Sequence, residues 1–244
     1  LLVLLIGRAT RLSRYVMDLD KTYIATARFG AVSDTLDAEG EITNLDTPFP
    51  SENDMRAALP KLTGNLLQIP PMASAVKHEG ARLYDLHRRG ISVERDPRPV
   101  TVHAFTLTGF DPVQQSATFE VSCSSGTYVR TLISDLAASL GSGAYLTALR
   151  RASVGHLDAN DALPPQDLAP ATIFNRIIPP NGLLAHLPGV DVPSELVREM
   201  VCHGRRIEGR GIAGSYRVMC GGELLAVYRD EVDQGRAEVV LCAE

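Results

Sequence analysis

"CSSGTYVRTLISDLAASLG", residues 123–141, decides how the chain is read. Its first residue ends an alternating run, Phe119, Val121, Cys123, which has the period of a half-buried strand. Ser124, Ser125 and Gly126 make a small-residue turn, and Thr127 is placed to cap a helix. Val129, Leu132, Leu136 and Leu140 then recur at helical spacing, and Gly141 closes the helix. Strand, tight turn and helix start together present free backbone N–H groups and a helix dipole, which favour an anion. With Thr127 as cap, Arg130 sits in the first turn, where a cation is disfavoured unless an anion lies between it and the helix end. From these residues alone an anion site and a plain salt bridge or exposed arginine are equally open.

Working outward, "KTYIATARF" (21–29) alternates Tyr23, Ala25, Ala27 and Phe29 against Thr22, Ile24, Thr26 and Arg28, a strand pattern. "SEND" (51–54) is a capping box before "MRAAL", with Pro60 and Gly64 ending that helix early. "GARLYDLHRRG" (80–90) reads as a short helix closed by Gly90, and "PVTVHAFTLTGF" (99–110) and "SATFEVSC" (116–123) as successive strands. This order predicts an α+β fold with a mixed, largely antiparallel sheet, not a βαβ wound sheet. Seven of the fifteen prolines fall between 164 and 193, where periodicity fades, which marks a domain boundary. Beyond it "SYRVMC" and "ELLAVYRD" flank Gly221-Gly222 as a hairpin, so the last fifty or so residues read as a small β-rich module.

A net charge of −5 argues against indiscriminate nucleic-acid binding, yet the charge is uneven. Residues 1–30 carry Arg8, Arg11, Arg14, Lys21 and Arg28 against Asp18 and Asp20, and residues 77–98 carry six basic against four acidic groups. Two mildly basic surfaces facing one polyanion, or two solvated faces, fit equally. Cysteines 123, 202, 220 and 242 form no C-x-x-C pair, and the six histidines show no ligand spacing. Reduced thiols, a cytoplasmic location and no metal are therefore expected. "LLVLLIG" (1–7) is too short for a membrane span and lacks the flanks of a signal peptide; it reads as the tail of a buried strand, and its lack of an initiator methionine as a sign of a fragment.

Three smaller motifs have bland readings. Ser74-Ala-Val-Lys77 matches S-x-x-K without its companion elements, and "GRGIAG" (209–214) matches G-x-G-x-x-G but precedes a hairpin, so it is a loop. Asp34 and Asp37 in "SDTLDAEG" (33–40) could serve acid/base chemistry or fix a turn, with the turn reading favoured.

Taken together, "GRATRLSRYVMDLDKTY", "SDTLDAEG", "QIPPMASAVKHEGARLYDL", "CSSGTYVRTLISDLAASLGSGAYLTALRR" and "HGRRIEG" resemble, in this order, the TruB family of tRNA pseudouridine synthases. The likeness runs through most of residues 1–155 and returns weakly in the C-terminal module, which looks like a PUA-type RNA-binding domain. The resemblance implies a pseudouridine synthase domain over 1–185, with the proline-rich linker from about 164, and a PUA-like domain over 186–244. It implies isomerisation of one uridine in the T loop of tRNA, without metal, nucleotide or redox cofactor; the oligomeric state is open, with a monomer as the default expectation. Tyr23 matches the pocket tyrosine, Arg130 the arginine that pairs with the catalytic carboxylate, and Leu149 an apolar pocket residue. Lys77 is expected to contact RNA, and Asp34 and Asp37 to lie in a loop near the site.

The family carries its catalytic aspartate in a G-x-L-D-P-x-A-x-G stretch directly upstream of the segment with which this chain opens. No such stretch occurs in residues 1–244. Asp46 in "NLDTPFP" and Asp158 in "GHLDAND" are echoes in the wrong context. The chain is thus expected to hold most of the pocket and not the nucleophile, and to be inactive alone. The rival reading is an RNA-binding or RNA-folding protein that does no chemistry. Ala73, where the family often has an aromatic residue, and Pro60, where it has a helix former, are the other departures.

Overall fold

The computed structural model describes residues 1–169, 173–192 and 195–242, with the side chain of residue 196 excepted; parts of the proline-rich stretch lie outside these limits. The contacts divide the chain into two compact units, one of Leu1 with Leu19–Asn160 and one of Leu2–Asp18 with Asp161–Glu244. A short helix, α1 (Ser13–Met17), belongs to the second.

The first unit opens with β1 (Lys21–Phe29), the antiparallel pair β2 (Ala31–Ser33) and β3 (Ile42–Asn44), α2 (Glu52–Ala58) and β4 (Gly64–Gln68). Then come the two-residue strands β5 (Lys77–His78) and β6 (Ala81–Arg82), α3 (Leu83–Arg88), β7 (Arg98–Asp111), β8 (Ser116–Cys123), α4 (Val129–Ser139), β9 (Ala144–Val154) and β10 (Leu157–Asp158). Six strands form one sheet in the order β10-β9-β1-β8-β7-β4, and every neighbouring pair is antiparallel. The alternation in β1 is obeyed: Ala25, Ala27 and Phe29 are buried, together with Phe119 and Val121 of β8. Their small and flat surfaces receive α4, which lays Val129, Leu132, Ile133, Leu136 and Ala137 on the same face to make the core.

Local signals explain the other elements. The Ser51 hydroxyl accepts the Asp54 N–H at 3.1 Å and donates to the Asp54 carboxylate at 2.6 Å, which caps α2. Pro60 then forces a tighter turn over Leu59–Leu62. Residues 1–6, expected to end a buried strand, are not in one. Leu1 exchanges hydrogen bonds with Arg151, but Leu2, Leu4 and Ile6 are exposed and unpaired with any strand among the described residues.

The second unit contains α5 (Pro180–Leu183), β11 (Gly189–Asp191), α6 (Glu195–Cys202), β12 (Ile207–Glu208), β13 (Ser215–Cys220), β14 (Glu223–Glu231) and β15 (Gln234–Val240). Its sheet runs β11-β13-β14-β15-β12, parallel only at β11–β13. The hairpin turn stands as read: Gly221 and Gly222 adopt φ of 56° and 82°, which a side chain would strain. "GRGIAG" is indeed a loop, its Arg210 and Ile212 N–H groups donating to Asp230 Oδ2 at 2.7 and 3.2 Å. The expectation of reduced thiols fails at one pair. The end of α6 and the chain after β15 bring Cys202 and Cys242 to a Cα separation of 5.4 Å, and the two form a disulfide; Cys123 and Cys220 remain free. Among the described residues no helix is long and apolar enough to cross a membrane.

Within this unit Glu238 gathers the N-terminal segment onto the sheet. Its Oε2 accepts from the Tyr15 phenol at 2.8 Å and the Ser215 hydroxyl at 2.7 Å, Oε1 accepts from Arg229 at 3.0 Å, and Arg14 lies 3.1 Å away. Burial pushes the Tyr15 phenol up to about 12, so it stays a donor. Burial alone would raise the Glu238 carboxyl, but the Ser215, Tyr15 and Arg229 donors outweigh it and hold it below the usual glutamate value. Its stabilising effect is therefore present above the unfolded glutamate value and lost as pH falls through the folded one. Glu238→Gln is expected to cost about 1–2 kcal/mol in denaturant unfolding near neutral pH. The gap to the unmutated protein should close as the pH is taken below the glutamate range; a gap that stayed constant would show that the ionised carboxylate is not what stabilises the fold.

Candidate active site

The site is built at the head of α4. β8 ends at Cys123, opposite Lys21 and two residues along the register from Tyr23, so the turn after it opens at the Tyr23 end of the sheet. Gly126 takes φ 83°, the left-handed conformation the tight turn needs. Ser124 is held by β7, its N–H donating to Thr101 O at 2.8 Å and its hydroxyl accepting the Thr101 N–H at 2.9 Å.

The cap differs from the sequence reading. The helix begins at Val129 behind Tyr128, and the Thr127 hydroxyl meets Ser124 at 3.4 Å instead of a helical N–H. Gln68, at the end of β4 and only 4% exposed, takes over: its Oε1 accepts the Tyr128 N–H at 2.7 Å and its Nε2 donates to Tyr128 O at 3.0 Å. A buried amide must pair both ends, and the backbone N–H and C=O of one residue at the helix start satisfy both at once.

Arg130 comes next as the second helical residue, turned inward with its side chain 21% exposed. Nη1 donates to Asp37 Oδ2 at 2.8 Å and to Thr35 O at 3.0 Å, and Nη2 donates to Ala73 O at 2.7 Å. The anion beside this helix start is thus Asp37, where the resemblance led us to expect an aspartate from upstream of Leu1. Asp37 reaches it because its loop folds back on β9: Leu36 adopts φ 65°, its carbonyl accepts the Leu146 N–H at 3.0 Å, and Asp37 bridges to Leu146. The bonds described use three of the five guanidinium donors.

The turn reading of the aspartates describes one oxygen of each, and the other oxygen meets a basic side chain. Asp37 Oδ1 accepts the Thr35 hydroxyl at 2.7 Å and the Glu39 N–H at 3.1 Å, which fixes the turn, while Oδ2 faces Arg130. Asp34 Oδ1 accepts the Glu41 N–H at 2.8 Å and Oδ2 lies 3.3 Å from His87 Nε2. Gly40 closes the loop so tightly that a Cβ there would overlap the Asp34, Thr35 and Ser33 side chains. Asp46 is exposed, and Asp158 accepts the Asn160 N–H in a local turn; neither joins the site.

On the sheet, the β1–β9 register pairs Tyr23 with Arg151 and Ala25 with Leu149, so Tyr23, Leu149 and Arg151 share a face. Tyr23 packs against the core and Leu149 is 47% exposed, an apolar surface left open beside the ring. Burial raises the Tyr23 phenol, offset in part by a hydrogen bond from Arg151, so it is neutral at physiological pH. Lys77 lies exposed at the start of β5 and is brought to none of these groups by a described contact. Sequence reasoning missed Gln68, Arg151 and the Ala73 carbonyl. Gln68 left one trace, a polar residue ending an apolar strand just before Ile69-Pro70-Pro71.

Residues 1–129 match the sequence model of the TruB family pseudouridylate synthase, N-terminal domain. The tRNA pseudouridine synthase B of Chromohalobacter salexigens is 39% identical over 252 residues, which cover all of this chain and 78% of that protein. That of an Azoarcus species is 38% identical over 232 residues, covering 93% and 76%. The chain belongs to the TruB family of pseudouridine synthases. Among solved structures, the crystal structure of a Cbf5-Nop10-Gar1 complex superposes with a TM-score of 0.70 over 96% of this chain and 69% of that one, at 21% identity. That likeness carries the fold alone, an antiparallel synthase-type sheet with a small β-rich, PUA-like C-terminal unit. In this TruB chain the helix that presents Arg130 rests on Gln68. Gln68→Ala is expected to lower unfolding stability by about 2–3 kcal/mol, from two lost backbone bonds and the space left behind. A loss under about 0.5 kcal/mol in denaturant titration would show that the cap is not needed.

Proposed function

We propose that this chain is the pocket-bearing part of an enzyme that isomerises one uridine in the T loop of tRNA to pseudouridine. The N1–C1′ bond breaks, the uracil turns, a C5–C1′ bond forms, and the C5 proton is lost as N1 gains one. The target base must leave its stack to be reached. Tyr23, a neutral phenol beside the open surface of Leu149, is the platform that receives it, and Arg151 holds the phenol in place. A glycosidic bond passes through a cation-like sugar, so the reaction calls for a carboxylate at C1′. In our reading that carboxylate comes from the G-x-L-D-P segment that residues 1–244 do not contain, and the donors left on Arg130 keep it ionised.

The observation that carries this reading is Arg130 held inward at the Tyr23 end of the sheet, in a TruB chain whose relatives are named tRNA pseudouridine synthase B. We assign catalysis to residues 1–185, with RNA gripped by the basic stretch 77–98, Lys77 included, and by a PUA-like domain over 186–244. The protein acts as a cytoplasmic monomer and needs no cofactor. Affinity for a T-arm stem-loop should fall about tenfold or more between about 50 and 200 mM salt, since phosphate contacts release counterions. With the G-x-L-D-P segment in place, Arg130→Ala should cut tritium release from 5-tritiated uridine about a hundredfold or more while stem-loop binding stays within a few-fold. Near-normal turnover would reject the role given to Arg130.

A further inference from the structure

The His87–Asp34 pair has no part in the chemistry above, yet it closes a loop of contacts around it. Residues 77–90 form a thin arm: two two-residue strands and α3, in which Leu83 is the buried residue. Its backbone hangs from the segment before it, the Leu83 N–H donating to Val76 O at 2.8 Å and the Tyr84 N–H to Ser74 O at 3.0 Å. The Arg88 guanidinium lies 4.5 Å from the Tyr84 ring, a contact inside the arm. Among the described residues, the contact with a carboxylate that leaves α3 is His87 Nε2 to Asp34 Oδ2 at 3.3 Å, with the side chains 22% and 50% exposed.

Asp34 is a firm anchor. It is bound to the Glu41 N–H, and its loop is closed by Gly40. Three residues on, Asp37 of the same loop holds Arg130, and Arg130 also holds Ala73 O at the root of the arm. The arm is therefore tied to one loop twice, at its root through Arg130 and in the last turn of α3 through His87. These side-chain ties add to the backbone bonds at Val76 and Ser74 and to the buried Leu83, and the one through His87 joins α3 to the Asp34 loop.

We propose that His87 and Asp34 are positioning residues, a latch that sets the basic arm, with Lys77, Arg82, Arg88 and Arg89, at a fixed place relative to the Asp37–Arg130 pair. That the arm meets RNA rests on the function proposed above; the latch itself does not. Hydrogen–deuterium exchange of the RNA-free chain tests it. In His87→Leu the amides of residues 83–90 should exchange about two- to fivefold faster, the range expected of a part-exposed pair, while those of α4 keep their protection. His87→Gln, which keeps a donor at similar reach, should recover most of it. Unchanged protection in His87→Leu, or a loss in His87→Gln as large, overturns the latch. With a T-arm stem-loop, His87→Leu should weaken binding by the same two- to fivefold at an unchanged salt slope. A slope reduced by about one would make His87 a phosphate contact and overturn positioning. If the unmutated chain does not bind the stem-loop at all, the RNA reading falls, whatever the exchange data say of the latch.

Discussion

A guanidinium in the first turn of a helix lies against the positive end of the dipole, and it can be drawn inward there only if carboxylate and carbonyl oxygens meet it. Arg130 is such a group. Its three bonds collect Thr35 and Asp37 from one loop and Ala73 from another segment, so two stretches far apart in sequence are placed by a single side chain. The loop folded onto β9 and the root of the basic arm are both tied to it.

That arrangement needs a rigid helix start, and the sheet supplies it. β4 lies at one edge, and Gln68 reaches from its end to grip both polar groups of Tyr128. On the opposite side of β8, β1 and β9 carry Tyr23, Leu149 and Arg151 on the face that α4 covers further along. The alanines at 25 and 27 let the helix approach closely, which leaves the larger Tyr23 at the rim where the core ends. A tyrosine there is half-buried, and that burial keeps its phenol neutral.

The fold was legible because it rests on periodicity. β1, β8 and α4 bury the residues that their alternation or helical spacing marks, and the α2 cap and the Gly221-Gly222 turn are local chemistry. The ordered blocks also identified the family. What stayed hidden is contact between segments distant in sequence. Nothing near Tyr128 shows that Gln68, 60 positions away, is a better partner for the helix start than Thr127, and nothing near Arg130 shows that its carboxylate is Asp37, 93 positions away. The disulfide was missed for the same reason, since Cys202 and Cys242 stand 40 residues apart with no motif between them. The run at 1–6 misled in the other direction, because apolar composition alone does not supply a strand with a neighbour.

For Arg130 to place these segments, its contact with Asp37 must be an energetic link and not only a geometric one. A double-mutant cycle on unfolding stability, with Arg130→Ala, Asp37→Ala and both together, measures it directly. A coupling of about 1–2 kcal/mol is expected for a pair three-quarters withdrawn from solvent. Additivity within about 0.3 kcal/mol would mean that the two side chains merely lie side by side, and that something else orders the loops around the helix start.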